Sequence, residues 1–75
     1  MLVPKVERLE RKIKELNAIK GGYRSEVDDA LRRLKDKKIA KEEFDRIRLR
    51  NEERMERLSE KIRDLRTQIH GIRED

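Results

Sequence analysis

Apolar residues recur through this chain at alternating steps of three and four, and that spacing leaves few folds open. One such stripe is Val6, Leu9, Ile13, Leu16, Lys20, Tyr23, Val27, Ala30 and Leu34; a second is Phe44, Arg48, Asn51, Met55, Leu58, Ile62, Leu65, Ile69 and Ile72. An α-helix turns once in about 3.6 residues, so these positions gather on one face and form the seam of a coiled coil. The two stripes mirror each other about residue 39. Reflection there sets Val6 against Ile72, Leu9 against Ile69, Ile13 against Leu65, Leu16 against Ile62 and Leu34 against Phe44. The pattern predicts an all-α fold, an antiparallel two-helix coiled-coil hairpin. Helix one is expected over about 4–36, the turn over about 37–40 and helix two over about 41–72, all within a single domain spanning 1–75.

Composition agrees with long exposed helices. Charged residues make up 52% of the chain and apolar ones only 33%, too few for a packed globule of this length. That balance also occurs in disordered chains, but here the signs alternate and the heptads are sustained, which favours helix. There is no cysteine, so neither disulfides nor thiolate metal sites arise. No apolar run approaches the ~20 residues of a membrane span, and the first residues lack the apolar core of a signal peptide. The expected location is therefore cytoplasmic. Lys, Arg, Glu and Ile are abundant while Gln, Asn, Cys and Trp are scarce, a bias that points to a thermophile.

Pro4 suits a first helical turn, where its missing N–H leaves nothing unsatisfied. Gly21-Gly22 is the main challenge to one long helix, each glycine costing about 1 kcal/mol against alanine. Ser25 followed by Asp28 offers an alternative helix start. The heptad phase nevertheless passes from Leu16 through Lys20 and Tyr23 to Val27 without a slip, and a continuous helix follows. The reversal falls in Asp36-Lys37-Lys38-Ile39-Ala40, with Glu42 and Glu43 in the next first turn, where the helix dipole favours acids. Residues 31–44, Leu-Arg-Arg-Leu through Ile-Ala-Lys-Glu-Glu-Phe, resemble the SHOCT motif, a short helix–turn–helix found at the ends of many prokaryotic proteins. Lys38 and Ala40 replace the glycine and the Ser or Thr cap usual in its turn. The resemblance bears on where the chain reverses and implies no activity.

The middle of the seam is more polar than its ends. Lys20 faces Leu58, Val27 faces Asn51, and Ala30 faces Arg48; Leu31 and Ile47 stand one position away and are the apolar substitutes for Ala30 and Arg48. A single seam Asn commonly sets register at some cost in stability. Lys20 and Arg48 are expected to carry their charges out to solvent along apolar stems. Ile19, Leu49 and Ile39 lie off the stripe, with Leu2 and Val3 at the open end, and Leu58 is poorly covered by Lys20. Small helical scaffolds often complete their core by association, so a homodimer forming a four-helix bundle is expected, with Ile19, Leu49, Leu58 and Ile39 in the protein interface.

Charge points to a further surface. Residues 32–41 hold Arg32, Arg33, Lys35, Lys37, Lys38 and Lys41 against Asp36 alone, and the rest of the chain balances to zero, so the whole net charge of +5 sits at the tip. Arg46, Arg50 and Arg54 continue a basic row up helix two, partly offset by Glu42, Glu43 and Glu53. The residues expected to meet an anionic partner are Arg32, Arg33, Lys35, Lys37, Lys38 and Lys41, supported by Arg46 and Arg50. Tyr23 and Phe44 are committed to the seam, which argues against single-strand recognition by base stacking.

Catalysis has no constellation to rest on. His70 stands four residues past Arg66 near the end of helix two, Ser25 and Ser59 have no histidine within triad reach, and neither stripe carries a Glu for a four-helix carboxylate metal site. No cofactor, metal ion or small-molecule substrate is expected. Two readings follow: a non-enzymatic protein-binding adaptor or self-assembling coiled-coil module that works through its seam edges and basic tip, or a protein that sets the tip on the phosphates of RNA or DNA. The expected partner is thus a second copy, another protein, or nucleic acid.

Overall fold

A computed structural model describes residues 4–74; Leu2 and Val3 lie outside them. Helix α1 (Pro4–Lys35) and helix α2 (Lys41–Glu74) pack side by side as an antiparallel hairpin measuring 55 × 17 × 11 Å. Each helix carries charges that suit its dipole: Glu7 in the first turn of α1 and Arg32, Arg33 and Lys35 in its last, Glu42 and Glu43 in the first turn of α2 and Arg73 in its last. α1 is unbroken through Gly21-Gly22, so Ser25 starts no new helix. Neither glycine has a positive φ, and a Cβ on either would meet nothing within 4 Å.

The seam follows the heptads closely. Val6, Leu16, Ala30, Ile62 and Ile69 are buried, and the remaining stripe residues are half-buried, apart from fully buried Asn51 and exposed Arg48. Three side-chain contacts mark the register. Lys20 Nζ donates to Ser59 Oγ at 2.9 Å, Asn51 Nδ2 donates to Glu26 Oε2 at 3.0 Å, and the Arg54 guanidinium lies 5.4 Å from the centre of the Tyr23 ring. Each pair falls within one residue of reflection about residue 39. At the open end, Arg73 reaches across to Glu10 at 2.6 Å.

Of the two exchanges open at the polar middle of the seam, one occurs, and Arg48 carries its charge outward as expected. Arg48 leaves the seam and stands between Asp45 and Glu52, at 3.7 and 3.6 Å, while Ile47 turns inward and is half-buried in its place. A guanidinium held inside would have no carboxylate partner; outside it has two. The matching exchange on α1 does not occur: Ala30 stays buried and Leu31 is 38% exposed. Ala30 holds the d position that the heptad repeat assigns to the seam, and Leu31 takes the neighbouring e position at its edge. Lys20 is half-buried and bonded to Ser59 rather than extended to solvent.

The turn closes in an unexpected way for a chain with no glycine there. Lys38 N–H donates to Arg33 C=O at 2.8 Å and Lys37 N–H to Leu34 C=O at 3.0 Å, the paired bonds of a Schellman motif. The motif needs one left-handed residue, and Lys37 supplies it with φ 62°. A side chain in that conformation costs roughly 1–2 kcal/mol relative to glycine. The left-handed residue is thus one position before Lys38, where the SHOCT-like pattern sets its glycine. Ala40 then caps α2, its C=O accepting from Phe44 N–H at 3.1 Å, with no side-chain oxygen to meet the next free amides. Ile39 between them is half-buried over the end of the seam.

Candidate functional site

The turn projects its cations away from the seam. Arg32, Arg33, Lys35, Lys37, Lys38 and Lys41 are all exposed, as are Arg46 and Arg50 on the adjoining turns of α2. Among the described residues only Arg32 of this group has an ionic partner: it binds Asp29 at 2.6 Å. That hydrogen bond and the charge beside it hold the Asp29 carboxyl below its ordinary range and push the Arg32 guanidinium further up. The other cations of this group make no ion pair. Asp36, the one acid within the tip, donates its backbone N–H to Arg32 C=O and makes no ion pair.

Between Glu42 and Lys61 of α2 the charges separate by heptad phase, with Glu43 at c as the exception. Arg50, Arg54, Arg57 and Lys61 take the c and g positions, and Arg46 lies next to them at f; the acids Glu42, Asp45, Glu52 and Glu56 take b and e. In an antiparallel pair the two g rows share one flank and the two e rows the other. The surface agrees. Arg33 of α1 lines one shallow groove with Ile47 and Arg50, Arg46 lines the next with the same pair, and Arg54, Arg57 and Lys61 line a third beside Tyr23 and Leu58. Acids also border this flank: Glu26 and Asp29 on α1, and Glu43 beside Arg46. Of these, Glu26 is bonded to Asn51 and Asp29 to Arg32. Sequence spacing names Arg46, Arg50 and Arg54 as a row but does not single out Arg57 and Lys61. Their c and g phase is the signal that finds them.

The proposed interface residues do not form one patch. Ile19 is 48% exposed on the g flank of α1, Leu49 is 58% exposed at a b position of α2, and Leu58 and Ile39 are half-buried. Leu31 joins Leu49 on the e flank. Isolated exposed apolar side chains of this kind are normal on a small protein.

Among the described residues no group of His, Asp and Glu converges as a metal site, and no helix is long and apolar enough to cross a membrane. Asn51 Oδ1 is buried without a hydrogen-bond partner, but it lies inside the seam with no access for a ligand. Comparison with protein families, curated proteins and solved structures gave no match to this chain, so the resemblance of residues 31–44 to SHOCT is one of local pattern.

Proposed function

We propose that this chain is a non-enzymatic coiled-coil binding module, a stiff arm that joins other macromolecules through its basic tip and its open seam edges. The observation that carries the reading is the unpaired state of the tip. Arg33, Lys35, Lys37, Lys38 and Lys41 make no ion pair and crowd together with Asp36 as the one acid among them. Arg33 and Lys35 suit the dipole at the end of α1, but Lys37, Lys38 and Lys41 lie beyond it, contribute nothing to the seam and add to the mutual repulsion of the tip. An anionic surface brought to the end of the arm relieves that repulsion. The arm's length, 55 Å, carries the tip well clear of whatever holds its open end.

Self-association is a second reading, favoured by the open seam. A two-helix hairpin covers each seam residue from one side only, and Leu9, Ile13, Leu58 and Leu65 keep part of their surface in water. Two hairpins packed as a four-helix bundle would cover them. Reversing charge with Lys37→Glu and Lys38→Glu tests the first reading. Binding to the physiological partner should fall at least tenfold at moderate salt with helicity unchanged. Sedimentation of the parent at micromolar concentration tests the second, since a bundle requires more than one chain per particle. A tip variant that binds its partner as the parent does would leave the tip merely solvated.

A further inference from the structure

We infer that the anionic partner is a nucleic-acid duplex, RNA or DNA, and that it lies along the basic flank of the hairpin rather than touching the tip alone. This rests on the reading of the tip as an anion-binding surface and extends it to Arg33, Arg46, Arg50, Arg54, Arg57 and Lys61. Four observations converge.

The first is continuity. Arg33 and Arg46 stand beside the turn, share their grooves with Arg50, and lead to Arg54, Arg57 and Lys61 further up α2. From Arg46 to Lys61 the row covers ~22 Å of helix with a cation every ~6 Å, against one phosphate per ~3.4 Å of axis on a single strand. A linear row of that density matches a linear array of charges better than the compact acidic patch of a folded protein.

The second is chemistry. All but one of these residues are arginine, whose planar fork meets phosphate oxygens in pairs. Among the described residues Arg33, Arg46, Arg50, Arg57 and Lys61 make no ion pair. Arg54 is half-buried and stacked on Tyr23, which holds the row against the body of the hairpin.

The third is segregation. From Glu42 to Lys61 the acids Glu42, Asp45, Glu52 and Glu56 are turned to the opposite flank, where two of them engage Arg48, and Glu43 alone among the acids of this stretch shares the c and g positions with the cations; past Lys61 the order reverses at Arg63, Asp64 and Arg66. A solvated coiled-coil surface has no need to separate its signs in this way.

The fourth is what the flank lacks. Protein interfaces are anchored by buried aromatic or large apolar side chains. Here the one strongly exposed apolar residue is Ile19, while Leu31 and Leu49 face the other flank. No aromatic ring is exposed for stacking on unpaired bases, since Tyr23 and Phe44 are both half-buried in the seam. Backbone contact with a duplex remains as the mode that these residues fit.

The test measures binding of the full chain to a labelled RNA duplex and DNA duplex of about 20 base pairs, two turns of helix, and to polyglutamate. The flank variant carries Arg50→Gln, Arg57→Gln and Lys61→Gln. A control variant carries the same charge loss on exposed residues away from the flank, Arg11→Gln, Lys14→Gln and Arg63→Gln. At about 150 mM salt the flank variant should bind duplex at least tenfold more weakly than the control. Its dependence of log K on log salt should be shallower than the parent's by about 3, one per phosphate lost. Comparing the two duplexes tells which of them is the preferred form. A flank variant that matches the control while Lys37→Glu/Lys38→Glu weakens binding would overturn the flank and leave the tip. A parent that binds polyglutamate as tightly as either duplex would overturn the nucleic-acid assignment in favour of an acidic protein. Loss of binding in neither the flank nor the tip variant would remove both. Circular dichroism of each variant confirms that the hairpin is intact.

Discussion

The open end of the hairpin and its turn end are built on the same heptads and do different work. Near the open end Val6, Leu16, Ile62 and Ile69 are buried against one another with no polar residue in the stripe. Toward the turn the seam takes in Lys20, Asn51 and Ala30, loses Arg48 to solvent, and leaves the Asn51 Oδ1 buried without a partner. Branched and unbranched aliphatic side chains stabilise roughly in proportion to the area they bury. A buried amide contributes little net stability, but it disfavours every register that would leave its polar atoms worse satisfied, and the Glu26 carboxylate meets Asn51 Nδ2 only at this one. Stability is therefore concentrated at one end and alignment at the other. The charged surface belongs to the end that contributes least to holding the hairpin together.

Ile62→Ala should give the largest effect. Truncation of this fully packed residue is expected to cost ~2–4 kcal/mol, lowering Tm by about 10 °C or more in a domain of this size. The equivalent change at half-buried Met55, midway along α2 and one heptad closer to the turn, should cost under about 2 kcal/mol, because less surface is lost. Thermal melts of the two variants compare the halves directly, and equal losses would end the division drawn between them.

The next effect is a gain. Gly21 and Gly22 hold ordinary helical conformations and have open space where a Cβ would stand. Gly21→Ala together with Gly22→Ala should stabilise the hairpin by ~1–2 kcal/mol, seen as a raised denaturation midpoint with unchanged m. A loss instead would mean that α1 bends at this point in solution. The smallest effect is at the turn. Ala40→Ser supplies the missing cap and, with Glu43 three residues on, completes a capping box, for about 1 kcal/mol. No change in midpoint would show that the amides at the start of α2 are already satisfied.

Two positions at the turn break local rules together: a lysine in the left-handed conformation at Lys37 and an alanine at the cap of α2. Glycine and serine there would make a more stable turn. Lys37 instead adds a cation to the tip at a backbone position that disfavours it, which is where sequence-level stability rules are expected to fail in favour of function.

By itself the sequence determined the helices, their antiparallel pairing and the register, because a sustained three-four repeat allows one buried face and reflection about residue 39 matches the large apolar residues in only one alignment. Charge could be located at residues 32–41 by counting alone, since it depends on composition and not on contacts. Tertiary structure decided what local spacing leaves degenerate. Ile47 and Arg48 are adjacent, and which of them enters the seam depends on the carboxylates of Asp45 and Glu52 waiting outside. On α1 Ala30 keeps its seam place and Leu31 stays at the edge, so the exchange made on α2 is not repeated on its partner helix. The left-handed residue falls at Lys37 rather than Lys38 because the last carbonyls of α1 must find donors. Most of the basic flank, Arg46, Arg50, Arg54, Arg57 and Lys61, is legible in the phase of α2 alone, whereas Arg33 of α1 comes beside Arg50 only when the hairpin closes, because that relation joins residues far apart in the chain.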